Sequence, residues 1–162
     1  VNTSAIEIRS PDFVDQLLAA AAEIGLPLER LQLEITERLF LEPRREILDR
    51  LQGLRERGIR IAIDDFGIGS TSLRLLHRLP VDVLKIDRSF ISGFCEDARV
   101  DALVRAIIDM GHALELEIVA EGVERQEQAE RLRSYGCDLL QGYLLSRPLA
   151  APEFSDWLDA GH

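Results

Sequence analysis

Two adjacent aspartates, Asp64 and Asp65, close the apolar run IAIDD and are followed at once by the turn-forming FGIG. Neighbouring carboxylates repel each other unless a cation lies between them. Oxygen ligands without thiolate or imidazole suit Mg²⁺ or Mn²⁺. The plainer alternative is that one aspartate caps a following helix and the other is solvated. More acids and amides fall at similar places: Asn2 in VNTSA, Glu34 and Glu37 in LEITE, Glu121 and Glu124 in IVAEGVE, and Gln141 in LLQGYLL. Each alone reads equally well as a surface residue. Lys85 sits inside the apolar run VLKID, where a lysine is unfavourable unless paired. Beside a cation cluster its pKa would fall, and it could orient or deprotonate a water. Otherwise it reaches to solvent, and Asp87 is a turn acid. Gly122 and Gly142 permit close backbone approach. Together these residues describe a carboxylate-rich, oxygen-only site for two cations, the kind that hydrolyses phosphodiesters by in-line attack.

Competing chemistries are thinly represented. No Ser/His/Asp or Cys/His constellation is evident. Of the histidines, His77 and His112 fall in helical patterns and His162 is terminal. Cys95 and Cys137 form no CxxC pair and have no zinc-ligand spacing, so free thiols in a reducing cytosol are expected. A formal net charge of −10 gains nothing from counterion release, which argues against duplex nucleic acid as a partner. Acidity does not argue against a small phosphate ligand, because carboxylates hold cations and cations hold phosphates.

The elements that must position these residues alternate. Short apolar runs at 1–5, 31–35, 60–64, 81–86, 117–121 and 138–145 read as strands. Amphipathic patterns at 11–26, 43–58, 97–116 and 125–136 read as helices, with glycines near several of their ends. Such alternation predicts parallel βαβ units, in an open doubly wound sheet or in part of a closed barrel. Nearly every strand ends in a polar residue, and one rim shared by all strand ends favours the barrel. A length of 162 residues suggests one domain over 1–162, and 46% hydrophobic content is enough for an ordinary core. No apolar run approaches the length of a bilayer span, and VNTSAIEIRS lacks the order of a signal peptide. A cytoplasmic location is expected, with any membrane anchor upstream.

The motifs VNTSA, LQLEITE, IAIDDFGIGSTSL, LPVDVLKIDRSFI, IVAEGVE and LLQGYLLSRPL follow one another in an order and spacing that resemble the EAL-type cyclic di-GMP phosphodiesterases over residues 1–150. The resemblance implies an α/β fold, a TIM-like (β/α)8 barrel that is incomplete here, with about six strands and the first two missing. It implies Mg²⁺- or Mn²⁺-dependent hydrolysis of cyclic di-GMP to linear pGpG in bacterial second-messenger signalling. By the same resemblance, Asn2, Glu34, Asp64, Asp65 and Glu121 match metal-binding positions, with Asp64 between the two ions. Lys85 matches the lysine that contacts the attacking water, Gln141 matches a position near water or substrate, and Glu37 matches the glutamate that steadies the loop after the aspartates. That loop, DFGIGSTSL, resembles the segment through which family members dimerise and couple to regulatory domains. A homodimer, and sensory or GGDEF-type domains N-terminal to this region, are therefore expected.

Two departures stand out. The Glu-Ala-Leu strand, whose glutamate is a further metal ligand, and a nearby phosphate-contacting arginine are not among these residues. The loop reads DFGIGSTS where the family commonly has DFGTGYSS, so Ile68 and Ser70 replace a small polar residue and an aromatic one. Two readings follow: a phosphodiesterase region whose first strands lie upstream, or a non-catalytic cyclic di-GMP-binding regulatory module. The 162 residues alone are expected to show little hydrolysis and to expose two sheet edges.

Overall fold

The computed structural model describes residues 1–40, 45–68 and 76–160. Residues 43–44 of the expected second helix, Ser70 with most of the loop after Asp65, and His162 lie outside the described residues. The strands are β1 (Asn2–Thr3), β2 (Gln32–Thr36), β3 (Arg60–Phe66), β4 (Val83–Ile86), β5 (Glu117–Ala120) and β6 (Leu139–Leu140). The α-helices among the described residues are α1 (Ala5–Arg9), α2 (Phe13–Glu23), α3 (Arg45–Arg55), α4 (Arg88–Gly93), α5 (Ala98–Ala113), α6 (Gln126–Ser134) and α7 (Ala151–Asp159).

All six strands are parallel, and each neighbours the next in chain order, β1 to β6. A doubly wound sheet reverses its strand order at a switch point, and this sheet never does. Its two faces also differ. Leu33, Ile35, Ile61, Ile63, Leu84, Ile86 and Ile118 join one buried cluster with helix residues such as Leu51, Leu54, Val104, Ile108 and Leu132. The opposite face carries a separate small cluster of Ala62, Val83 and Val119. Among the described residues, strands in unbroken chain order with helices packed on one face are the arrangement of a TIM-like barrel, of which these are six strands. Among the described residues no helix is long and apolar enough to cross a membrane.

Several local expectations change. The first apolar run was expected to stay extended through residue 5, but β1 stops at Thr3. Ser4 and Glu7 form a reciprocal capping box that starts α1 instead. Asp87 accepts the Ser89 amide at 2.8 Å and caps α4, so the turn acid is a helix N-cap. Strand β3 continues through both Asp64 and Asp65, so neither aspartate caps a helix directly after residue 64. The last expected strand, 138–145, pairs only over Leu139–Leu140, because the chain then folds back through hydrogen bonds from Leu145 and Ser146 to the Gly142 carbonyl.

Candidate metal centre on the strand ends

In a regular strand, successive side chains point to opposite faces, so Asp64 and Asp65 should diverge. The pairing of β3 with β4 slips between Ile63 and Phe66, where β3 carries one extra residue. Asp65 takes up that residue with φ +56°, a left-handed conformation that aspartate tolerates better than most side chains. The outcome is that Asp64, Asp65 and Glu121 each offer a carboxylate oxygen within 4.8 Å of the others. Glu121 follows β5 and is held by its amide donating to the Ile86 carbonyl at 3.1 Å.

Lys85 organises the centre. Its Nζ lies 2.6 Å from Glu121, 3.0 Å from Glu34 and 3.0 Å from Asp64, and its side chain is 4% exposed. Asp64 Oδ1 is close to that ammonium yet poorly aligned for a hydrogen bond, and it is otherwise buried without a partner. Burial works against the charge on Lys85, but its close contacts with Glu121, Asp64 and Glu34 outweigh it and raise the lysine pKa above its ordinary value. The expectation that its pKa falls concerns a site with cations bound alongside, which would push it down. Burial raises the Glu121 pKa; Lys85 opposes this, while the charges on Asp64 and Glu34 add to it. One ammonium therefore faces three carboxylates, leaving two negative charges uncompensated before Asp65 is counted. An oxygen-only donor set with surplus negative charge and an orphaned carboxylate oxygen fits hard divalent cations.

The other sequence-predicted residues fall around this centre. Asn2 pairs in register with Glu34 on the neighbouring strand, and it is exposed. Gln32 donates to Glu34 from the same strand at 3.4 Å. Glu37 is outside the carboxylate cluster: it is 3% exposed, on the short turn after β2, and accepts the Gly67 amide at 3.0 Å. It thus holds the chain two residues beyond Asp65. Gln141 lines the cavity over the centre with Asp65, Asp87, Glu121 and Glu124. Two glycines allow these loops to close up. A Cβ at Gly122 (φ +69°) would come within 2.5 Å of Arg88 Cβ, and one at Gly142 within 2.1 Å of the Val123 carbonyl oxygen.

Sequence reasoning missed Gln128, Arg88 and Tyr143. Gln128 is buried in α6, accepts the amides of Glu124 and Arg125 at 3.0 Å each, and donates to the Ile91 carbonyl at 2.7 Å. It locks the loop after Glu121 onto α4, and nothing in the polar run RQEQ signals this. Tyr143 had a usable signal, an aromatic residue directly after Gln141–Gly142.

Comparison with known proteins bears on the same region. A family model described as EAL domain matches residues 1–148. The bifunctional diguanylate cyclase/cyclic di-GMP phosphodiesterase MucR of Pseudomonas aeruginosa is 42% identical over 153 residues, which are 94% of this chain and 22% of that protein. The solved complex of PaMucR phosphodiesterase with c-di-GMP superposes with a TM-score of 0.89 at 42% identity, covering 95% of this chain and 62% of that one. Klebsiella pneumoniae BlrP1, solved with cyclic di-GMP and manganese, gives a TM-score of 0.81 at 32% identity, covering 91% of this chain and 38% of that one. The chain spans about a fifth of the length of the curated relatives it matches.

Proposed function

The chain belongs to the EAL domain family, and from that premise we propose that it forms the metal-binding part of a cyclic di-GMP phosphodiesterase that yields linear pGpG. The observation that carries the reading is the charge mismatch at Lys85: a buried ammonium shared by Glu34, Asp64 and Glu121, with Asp65 alongside. Glu34, Asp64, Asp65 and Glu121 would hold two Mg²⁺ or Mn²⁺ ions, with the Asn2 amide as a neutral ligand. When bound, such ions neutralise phosphate charge and acidify water.

The chain's own groups divide the remaining work. Lys85, held by its contacts with Glu34, Asp64 and Glu121, would orient the attacking water. Its three simultaneous contacts fix its direction. Gln141 binds at the cavity wall next to the reacting phosphodiester. Glu37 keeps the segment after Asp65 in place through the Gly67 amide, and so sets where the Asp65 carboxylate stands. Dimerisation through the loop after Asp65, a GGDEF-type domain upstream and a cytoplasmic location complete the proposal.

The test is turnover of cyclic di-GMP by the full-length protein that carries this chain, with Mg²⁺ and then with Mn²⁺. Release of pGpG, abolished by chelation, is expected. Tight binding of cyclic di-GMP without hydrolysis would overturn the catalytic reading in favour of a regulatory binding module.

A further inference from the structure

The loop that carries Glu121 is tied down from two sides. Toward β6, the Val123 amide donates to the Gln141 carbonyl at 3.0 Å, and the Val123 carbonyl accepts the Leu144 amide at 3.0 Å. Toward α4 the buried tie is Gln128, 2% exposed. Its Oε1 accepts the amides of Glu124 and Arg125, and its Nε2 donates to the Ile91 carbonyl, 37 residues back along the chain. Arg125 adds a longer bond to the Phe94 carbonyl at 3.3 Å. A glutamine at the third position of a helix that accepts the amide at the helix start is ordinary, and that contact alone would be structural. The second amide and the bond to another helix go beyond it.

Six residues do not make a helix that holds itself, so the position of α4 is set by what it is bound to. It touches both loops that leave the metal centre. Arg88 lies against Gly122, next to Glu121, so closely that a Cβ on the glycine would overlap it. The ring of Phe90 lies against Gly67, two residues after Asp65, and leaves no room for a Cβ there either. Asp65 and Glu121 bring carboxylate oxygens within 4.8 Å, although they stand at the ends of β3 and β5, which β4 separates. Cation affinity depends on that spacing being held by the groups behind the ligands. We propose that Gln128 is a positioning residue for the metal centre. By fixing the Glu121 loop on α4, which also abuts the loop after Asp65, it holds the two carboxylates at the spacing that binds divalent cations. The inference rests on the metal-dependent reading above, and Gln128 acts in it without touching the ions.

The experiment is calorimetric titration of Mn²⁺ into the full-length protein without nucleotide, beside cyclic di-GMP turnover across Mn²⁺ concentrations. Gln128→Met removes all three hydrogen bonds at similar volume and is expected to raise the Mn²⁺ Kd by about 10-fold. Turnover should fall at limiting Mn²⁺ and recover at saturating Mn²⁺, since the ligands themselves remain. Gln128→Glu keeps an acceptor for the two amides but sets a carboxylate oxygen against the Ile91 carbonyl. It isolates the tie to α4 and should weaken Mn²⁺ binding to a similar extent. Leu132→Val, a loss of buried volume in the same helix, is the control, expected to lower the melting temperature and leave the Mn²⁺ Kd unchanged. Equal weakening in Leu132→Val makes the effect one of general stability and overturns the proposal. Mn²⁺ binding by either Gln128 variant as tight as that of the unsubstituted protein also overturns it. If neither Gln128 variant folds, Gln128 serves folding and the positioning role falls. If the unsubstituted protein binds no Mn²⁺, the metal-dependent reading fails first, a result that needs no substitution to see.

Discussion

The same face of the sheet carries charge at both ends of its strands, and the two ends are built differently. Toward the N-terminal ends, Arg60 and Glu117, the first residues of β3 and β5, form a one-to-one ion pair that is part-exposed. Toward the C-terminal ends, Lys85 is almost fully buried and faces three carboxylates. Between them lie the short side chains of Ala62, Val83 and Val119. A matched pair near water closes its own electrostatics and asks for nothing further. A buried, mismatched cluster is unfavourable on its own and is retained where something else completes it. The contrast separates a structural end of the sheet from a functional one without appeal to any relative.

The largest effect is expected from removing the cation in the mismatched cluster. Lys85→Met would leave Glu34, Asp64 and Glu121 buried without their counter-ion. Breaking a buried pair in this way destabilises by about 3–5 kcal/mol, a loss that urea unfolding at neutral pH with chelator present would read. Saturating Mn²⁺ should recover part of the loss. A variant as stable as the unsubstituted protein would remove the basis for calling the two ends different.

Removing one of the surplus carboxylates should do the reverse to stability. Asp64→Asn is expected to lower cyclic di-GMP turnover by about 100- to 1,000-fold, the range seen when a group stabilising transition-state charge is removed. The same substitution should raise stability in chelator by about 0.5–2 kcal/mol, since it relieves repulsion. In the unsubstituted protein, Mn²⁺ at about 100 times its Kd should stabilise by about 2.7 kcal/mol, and Asp64→Asn should abolish this response. Thermal melts with and without Mn²⁺ separate these outcomes. An unchanged Mn²⁺ response would place the ions elsewhere.

Much of this was legible in the residues, and the gaps have physical causes. Asp64, Lys85 and Glu121 announce themselves as polar groups closing apolar runs, which strand burial otherwise forbids. The convergence of Asp64 with Asp65 was not legible, because alternation along a strand sends neighbours to opposite faces. Only the bulge after Ile63 and the φ of +56° at Asp65 bring them together. The parallel strands were readable, but open sheet and barrel differ in strand order and in which face the helices cover. Those are tertiary facts. Helix α1 was hidden by its length of five residues, too short for periodicity, although its Ser4–Glu7 capping box is written in the sequence. Gln128 shows the limit most clearly, since a buried glutamine that ties two loops together looks like any other polar residue in a helix.

The matched end of the sheet should respond weakly to equivalent changes. Replacing Arg60 and Glu117 together by methionine is expected to alter stability by about 1 kcal/mol or less and to leave turnover intact, because the pair is part-exposed and screened. A loss as large as that of Lys85→Met would show that this end carries more than structure.

The smallest effect concerns pH at that structural end. Burial opposes the charge on Asp138, but its carboxylate accepts the Ile118 amide at 2.8 Å and lies 2.9 Å from His112 Nε2, and these contacts lower its pKa below the ordinary value. A carboxyl group that binds its proton less readily when folded stabilises the fold above its unfolded pKa, about 3.9 for aspartate, and loses that contribution as the pH falls through the lower folded value. The urea midpoint should therefore decline as the pH drops below about 4, and Asp138→Asn should remove this component of the decline. Side-chain exposure of 40% limits its size through solvent screening. The metal-centre carboxylates supply the counter-check. Glu121 is shifted upward, because burial and the charges on Asp64 and Glu34 outweigh its contact with Lys85, so the folded state takes up this proton more readily than the unfolded chain. Acid should thus weaken the matched end and ease the mismatched one, and a midpoint that falls equally in Asp138→Asn and the unsubstituted protein would erase that difference.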